Sequence, residues 1–100
     1  KAMEMITTAA MITAKEAKEI GLINYSCKKE DLITFSTKIS NKIKRNSPVA
    51  ISKAIKSINS YFTEGLDGFE MEKKLFGECF DTKDFKEGTQ AFINKRKPNF

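Results

Sequence analysis

The stretch DLITFSTKISNKIKRNSPVAISKAIKSINSYFT, residues 31–63, decides the fold. Its apolar residues recur every three or four positions, which is the spacing of one face of an α-helix. Ser47 and Pro48 have the pattern of a helix start, because serine caps free amides and proline lacks only an N–H that would be unpaired there. We therefore predict one helix over about 31–45 and a second from 47 to about 63. The two apolar stripes are Leu32, Phe35, Ile39 and Ile43, and Ile51, Ala54, Ile55, Ile58 and Phe62.

Helical signals continue toward the N-terminus. Residues 1–7, KAMEMIT, have the pattern of the end of a helix. Thr13 and Glu16 predict a capping box, in which each side chain bonds the backbone amide of the other residue. A short helix over 14–20 follows, and Gly21 is a natural left-handed stop for it.

The remaining segments alternate between turns and helices. Residues 22–25, LINY, predict a short extended segment, and 28–31 a polar turn. A helix over about 67–80, a cap at 81–82 and a last helix over about 83–95 complete the chain. We therefore predict a small all-α domain of five to six helices with at most one short extended segment. The side chains expected inward on these last two helices are Phe69, Leu75, Phe76, Cys79, Phe80, Phe85, Phe92 and Ile93.

Composition excludes several classes of protein. With 100 residues and 40% hydrophobic content, the chain is long enough for one domain with a thin core. It contains no His, which argues against a zinc site, and Cys27 and Cys79 are expected to be free thiols. No apolar run is long enough to span a bilayer, which favours the cytoplasm, or a matrix if a targeting segment has been removed. The net charge of +5 suits a phosphorylated or nucleic-acid partner, but the many lysines equally fit the codon usage of an AT-rich genome.

No catalytic constellation is present. Without His there is no ordinary acid–base pair, and Glu70, Glu72 and Glu78 are expected on an exposed helix face.

The spacing of Ala and Gly over 14–21 occurs in some helix-turn-helix proteins, but an extended segment follows where a recognition helix should begin. The chain opens inside a helical pattern, at Lys1, so we expect it to be a piece of a longer protein.

The order of short motifs resembles the C-terminal region of the crotonase superfamily, the enoyl-CoA hydratase/isomerase family. Each motif alone is weak, but their order and spacing cover the whole chain. One departure is Thr8-Ala9, where many relatives have Thr-Gly, so Ala9 would be strained if that position has a positive φ. The matching stretches are AMEM (2–5), TAKEAKEIGL (13–22), NSPVAISKAI (46–55), EGLDGFEMEKKLF (64–76), DTKDFKEGTQAF (81–92) and KRKPNF (95–100).

The resemblance implies a ligand, coenzyme A, and three binding residues. Phe76 and Phe92 match positions whose rings line the adenine side of the ligand, and Lys95 matches a basic residue near the ADP phosphates. An aromatic and a cation one helical turn apart would form a clamp for a ring and a phosphate. For Phe76 a place in the core is an equal alternative. Arg96 and Lys97 are expected to be solvated or at a subunit contact.

The resemblance also implies what the whole protein does. Residues 1–100 would be a helical domain that closes the acyl-CoA site and builds a homo-oligomer, a trimer or hexamer, while the catalytic α/β domain lies upstream. The whole protein would be a lyase that hydrates 2-enoyl-CoA to 3-hydroxyacyl-CoA without a further cofactor or metal, and residues 1–100 alone would be inactive. The alternatives are an isomerase or another acyl-CoA enzyme of the family, or a non-catalytic helical interaction module.

Overall fold

Six α-helices and one 3₁₀ turn form the regular structure of the chain, and no β-strand is present. The computed structural model describes residues 1–100. The all-α prediction is confirmed. The helices are α1 (Ala2–Thr8), α2 (Ala14–Glu19), α3 (Leu32–Ile43), α4 (Pro48–Ser60), α5 (Gly68–Cys79) and α6 (Lys83–Ile93), and the 3₁₀ turn is Lys29–Asp31. None of these helices combines the length and the apolar character needed to cross a membrane.

The chain divides into two compact units, Lys1–Thr37 and Lys38–Phe100. In the first unit the predicted capping box starts α2. The amide of Glu16 donates to the Thr13 hydroxyl at 3.2 Å, and the amide of Thr13 donates to the Glu16 carboxylate at 2.8 Å. The Glu16 carboxylate also accepts a bond of 2.7 Å from the Thr13 hydroxyl, and the bonds that it accepts from the amide and the hydroxyl of Thr13 hold the pKa of Glu16 below its usual range.

The C-terminus of α2 is closed by Gly21, whose φ of 75° places it in the left-handed region. The Gly21 amide donates to the carbonyl of Lys18 at 3.1 Å, and the Leu22 amide donates to that of Ala17 at 2.8 Å. This pair of bonds is a Schellman motif. Residues 22–25 form no strand, which agrees with the prediction of at most one short extended segment, and the Leu22 amide is directed back to the helix. The next α-helix begins only at Leu32, which is farther on than the short turn of a helix-turn-helix allows.

In the second unit, Lys38–Phe100, α4 and α5 form the main helix–helix contact. Ser47 caps α4 as predicted, since its hydroxyl accepts a bond of 3.0 Å from the Ala50 amide. The same hydroxyl donates to the Asp84 carboxylate at 2.5 Å. One side chain therefore starts α4 and ties that start to the first turn of α6.

The buried core is thinner than the apolar stripes predict. Of the apolar residues only Ala17, Leu75 and Ala91 are buried, and Cys79 is half-buried. On the last two helices, the prediction that apolar side chains face inward was right for Leu75 and wrong for most of the aromatic residues. Helical spacing identifies an apolar face but does not specify what covers it. The exposed residues of those stripes are Leu32, Ile43, Ala54, Ile55, Ile58, Phe62, Phe69, Phe76, Phe80, Phe85, Phe92 and Ile93.

Ala9 ends α1 with φ 51°, in the left-handed region that the Thr8-Ala9 departure had raised as a source of strain. Ala9→Gly is expected to raise the free energy of unfolding by about 0.5–1 kcal/mol, since glycine adopts this conformation without a Cβ clash. Thermal denaturation of the full-length protein measures the change. Ala10→Gly is the matched control, because Ala10 has no positive φ and gains nothing from glycine. Equal melting temperatures for the two variants would contradict the strain at Ala9.

Candidate functional site

The C-terminus of α5 and the N-terminus of α6 are joined through Thr82. Its hydroxyl accepts a bond of 3.1 Å from the Phe85 amide, which caps α6, and donates one of 2.7 Å to the Cys79 carbonyl of α5. This cap was expected at 81–82. Together with the Ser47–Asp84 bond it anchors the start of α6, the helix that carries Phe92 and ends two residues before Lys95.

Phe76 lies at the outer end of a row of aromatic rings. It meets Phe80 edge to face at a centroid distance of 5.1 Å, and Phe80 meets Phe85 at 4.7 Å. The Phe76 side chain is 65% exposed and borders a groove of about 410 Å³ between α4 and α5. Its expected place in the core is therefore wrong for this chain, and the ring is accessible to a ligand.

Phe92 is more exposed still, at 86%. It borders a separate depression of about 390 Å³ on α6, together with Phe85, Gly88, Thr89 and Ile93. Phe76 and Phe92 thus line different depressions, and the connection between them is the row through Phe80 and Phe85.

Lys95 does not lie on α6. The helix ends at Ile93, and Lys95 follows it with φ 50°, in the left-handed region. Its amide donates to the Phe92 carbonyl at 3.2 Å, and the Arg96 amide donates to that of Ala91 at 3.0 Å, which completes a second Schellman motif. Lys95 was expected on the last helix, one turn after Phe92, and instead lies two residues beyond the end of α6.

The Lys95 ammonium is nevertheless available. The side chain is exposed, and it takes part in none of the five ion pairs of the chain. An unpaired ammonium three residues after an exposed ring has the chemistry needed for a phosphate and a flat base, since the ammonium offers three donors and a full charge and the ring an apolar face. The roles of Phe76, Phe92 and Lys95 remain predictions.

Arg96 forms a bidentate ion pair with Glu87, which sequence reasoning missed. Its Nη1 and Nη2 donate to Oε1 and Oε2 of Glu87 at 2.6 and 2.8 Å, and the Asn99 amide donates to Oε1 at 2.7 Å. These bonds, first that from Arg96 and then that from Asn99, lower the pKa of Glu87 to about 2. Because Glu87 ionises more readily in the folded chain, the pair stabilises the fold above about pH 4.5, and that contribution is lost as the pH falls toward 2.

The glutamates on α5 that were considered as catalytic candidates do not form an acid–base site. Glu78 pairs with Lys53, whose hydrogen bond and charge lower the pKa of Glu78. Glu70 pairs with Lys73 at 2.6 Å on the surface of α5. Glu70, Glu72 and Glu78 are all exposed on α5, as expected, and no cluster of three or more His, Cys, Asp or Glu side chains resembles a metal site.

Similarity to known proteins identifies the family of this chain. The model of the enoyl-CoA hydratase/isomerase family matches residues 1–100. A mitochondrial enoyl-CoA hydratase of Pongo abelii is 42% identical over 100 residues, which are 99% of this chain and 34% of that protein. A methylmalonyl-CoA decarboxylase of Escherichia coli K12 is 33% identical over 100 residues, which are 97% of this chain and 38% of that protein.

A solved structure of an enoyl-CoA hydratase has a similar fold. The crystal structure of an enoyl-CoA hydratase from Bacillus anthracis has a TM-score of 0.81 with this chain at 37% identity, covering 89% of this chain and 35% of that one. The chain spans little more than a third of the length of these relatives. Since the family model covers every residue, the chain belongs to the enoyl-CoA hydratase/isomerase family.

Proposed function

We propose that residues 1–100 are the C-terminal helical region of an enoyl-CoA hydratase. The whole protein adds water across the double bond of a 2-enoyl-CoA and yields a 3-hydroxyacyl-CoA. The observation that carries the proposal is 42% identity over 99% of the chain to a protein named enoyl-CoA hydratase. No cofactor beyond the coenzyme A of the substrate is proposed, and the compartment is the cytoplasm, with a mitochondrial matrix as the alternative.

Within that protein the chain supplies binding groups, not catalytic ones. Phe92 and Phe76 offer exposed rings to the adenine, and Lys95 offers its ammonium to the ADP phosphates. The exposure of both rings and the absence of an ion pair at Lys95 support these roles. Because no carboxylate of the site is poised as a general acid, the isolated chain is expected to be inactive toward crotonyl-CoA.

The exposed apolar faces support a role in assembly. Ile55, Ile58 and Phe62 on and after α4, and Phe69 on α5, are more than half exposed. Large exposed apolar patches commonly mark surfaces that contact other proteins. We therefore assign them to contacts with the rest of the protein and with neighbouring subunits in a homo-oligomer, a trimer or hexamer.

Removal of the Lys95 ammonium tests the proposed binding role. Lys95→Ala in the full-length protein is expected to weaken coenzyme A binding by about 10- to 100-fold, because one charge-assisted hydrogen bond is worth roughly 1.5–3 kcal/mol. Isothermal titration calorimetry with coenzyme A measures it. Lys97→Ala, which removes the same charge from an exposed neighbour, is the control and should change the affinity less than twofold.

Lys95→Gly separates binding from folding. Glycine relieves the left-handed strain at this position, so the variant should melt no lower than the parent while binding coenzyme A as weakly as Lys95→Ala. Unchanged affinity in both variants would remove Lys95 from the site and leave it as a helix-end residue only.

A second reaction within the family is favoured by one relative. The decarboxylase from Escherichia coli shares 33% identity over almost the whole chain, so this region is compatible with different reactions on acyl-CoA. Assays of the full-length protein with crotonyl-CoA and with methylmalonyl-CoA distinguish the two. Hydration of crotonyl-CoA supports the proposed function, whereas decarboxylation alone would replace it.

A further inference from the structure

After α6 the chain turns back on the helix it has just left. We call residues 94–100 the terminal strap. Its amides at Lys95 and Arg96 bond to the last turn of α6, and the amide of Asn99 reaches the Glu87 carboxylate two turns earlier. The ring of Phe100 lies over Gly88, 3.5 Å from the point where a Cβ would stand. The strap is therefore folded along the helix instead of extending from it.

Glu87 holds most of this strap. Both of its carboxylate oxygens are used, one by Nη1 of Arg96 and the Asn99 amide, the other by Nη2 of Arg96. Its side chain is only 24% exposed, which shields the bonds from water more than the surface pair Glu70–Lys73, where both partners are at least 65% exposed. Nη1 of Arg96 also donates to the Lys97 carbonyl at 3.2 Å, so the guanidinium fixes the strap backbone as well.

Lys95 lies between the residues whose bonds attach the strap to α6. On one side its amide is bonded to Phe92, and on the other Arg96 is held by both its amide and its guanidinium. A left-handed conformation is unfavourable for lysine, and it persists only where neighbouring contacts enforce it. Loss of the Arg96 attachment would let Lys95 relax to a negative φ, which changes the direction of its Cα–Cβ bond.

We propose that Glu87 is a positioning residue of the coenzyme A site, which acts through Arg96 to hold Lys95 in the conformation that directs its ammonium to a phosphate. The inference rests on the proposed function, in which Lys95 binds the ADP phosphates. It assigns to Glu87 and Arg96 a role in binding without contact to the ligand. The low pKa of Glu87 keeps the pair ionised throughout the neutral range, so the positioning is constant there.

The test is a double-mutant cycle in the full-length protein, with coenzyme A as the titrant. Glu87→Gln keeps the shape of the side chain but places an amide NH₂ against the guanidinium donors, and it is expected to weaken binding about fivefold. Lys95→Ala combined with Glu87→Gln is expected to bind as weakly as Lys95→Ala alone, because Glu87 acts only through Lys95. Glu70→Gln, which breaks a 2.6 Å ion pair on α5, is the matched control and should bind like the parent.

A second ligand separates positioning from general destabilisation. A pantetheine thioester lacks the phosphates, so its binding should be the same in Glu87→Gln and in the parent protein. A loss shared by both ligands, or losses that multiply in the double variant, would assign Glu87 a structural role only and overturn the inference.

Arg96→Lys provides an independent variant should Glu87→Gln be unstable. It keeps the charge but loses the bidentate geometry, and an intermediate loss of coenzyme A affinity is expected. Normal affinity in Glu87→Gln and Arg96→Lys, while Lys95→Ala is weakened, overturns the positioning role and leaves the proposed function intact. Normal affinity in Lys95→Ala overturns both.

Discussion

Leu75→Ala is expected to lower the free energy of unfolding by about 2–5 kcal/mol. Leu75 is 7% exposed and lies on α5, which makes its main packing contact with α4. It is the only large aliphatic side chain among the three buried apolar residues, so no other core side chain of similar size can compensate for its loss. The cavity left by the missing atoms adds to the lost transfer free energy.

Thermal denaturation of the full-length protein, followed by circular dichroism, measures this cost. A loss of this size corresponds to a melting temperature lower by roughly 5–15 °C. Leu75→Met is the control, because a side chain of similar volume should cost less than about 1.5 kcal/mol. If the alanine variant melted at the same temperature as the methionine variant, Leu75 could not be the centre of this core.

Ala91→Asp is expected to destabilise the fold by roughly 3 kcal/mol or more, since it buries a carboxylate at a site that excludes water. Ala91 is the most buried residue of the chain, at 1% exposure. Its carbonyl also accepts the Arg96 amide, so disruption there would loosen the end of α6 together with the terminal strap.

Gln90→Asp is the matched control for this substitution. Gln90 is the preceding residue of α6 and is exposed, so the variant introduces the same residue and the same charge without burial. Its melting temperature should stay within about 2 °C of the parent, while that of Ala91→Asp falls well below it. Similar melting temperatures for the two variants would show that the face of α6 at Ala91 is not packed.

The helix boundaries could be predicted from the sequence to within two or three residues. Thr13 with Glu16, Gly21, Ser47 and Thr82 mark ends that the structure places where they were expected. Each of these signals acts through a hydrogen bond or a φ preference that involves residues no more than five apart. Such local interactions depend little on the rest of the fold, so they can be deduced without it.

The candidate site could be predicted only as a set of residues. Phe76 was expected to face inward and is mostly exposed, and Lys95 was expected on the helix and lies beyond its end. The ion pair of Glu87 with Arg96 was not predicted, because it spans nine residues across a chain reversal and no periodic pattern marks it.

The sequence by itself determined the helices, their caps and the family of this protein. Only the tertiary structure decided which apolar faces are covered, how the chain turns back after α6, and therefore which side chains remain free for a ligand. The physical reason is the range of the interactions. Helix formation and capping depend on neighbours within about one turn, whereas burial and ion pairing depend on the meeting of segments that are distant in sequence or separated by a reversal.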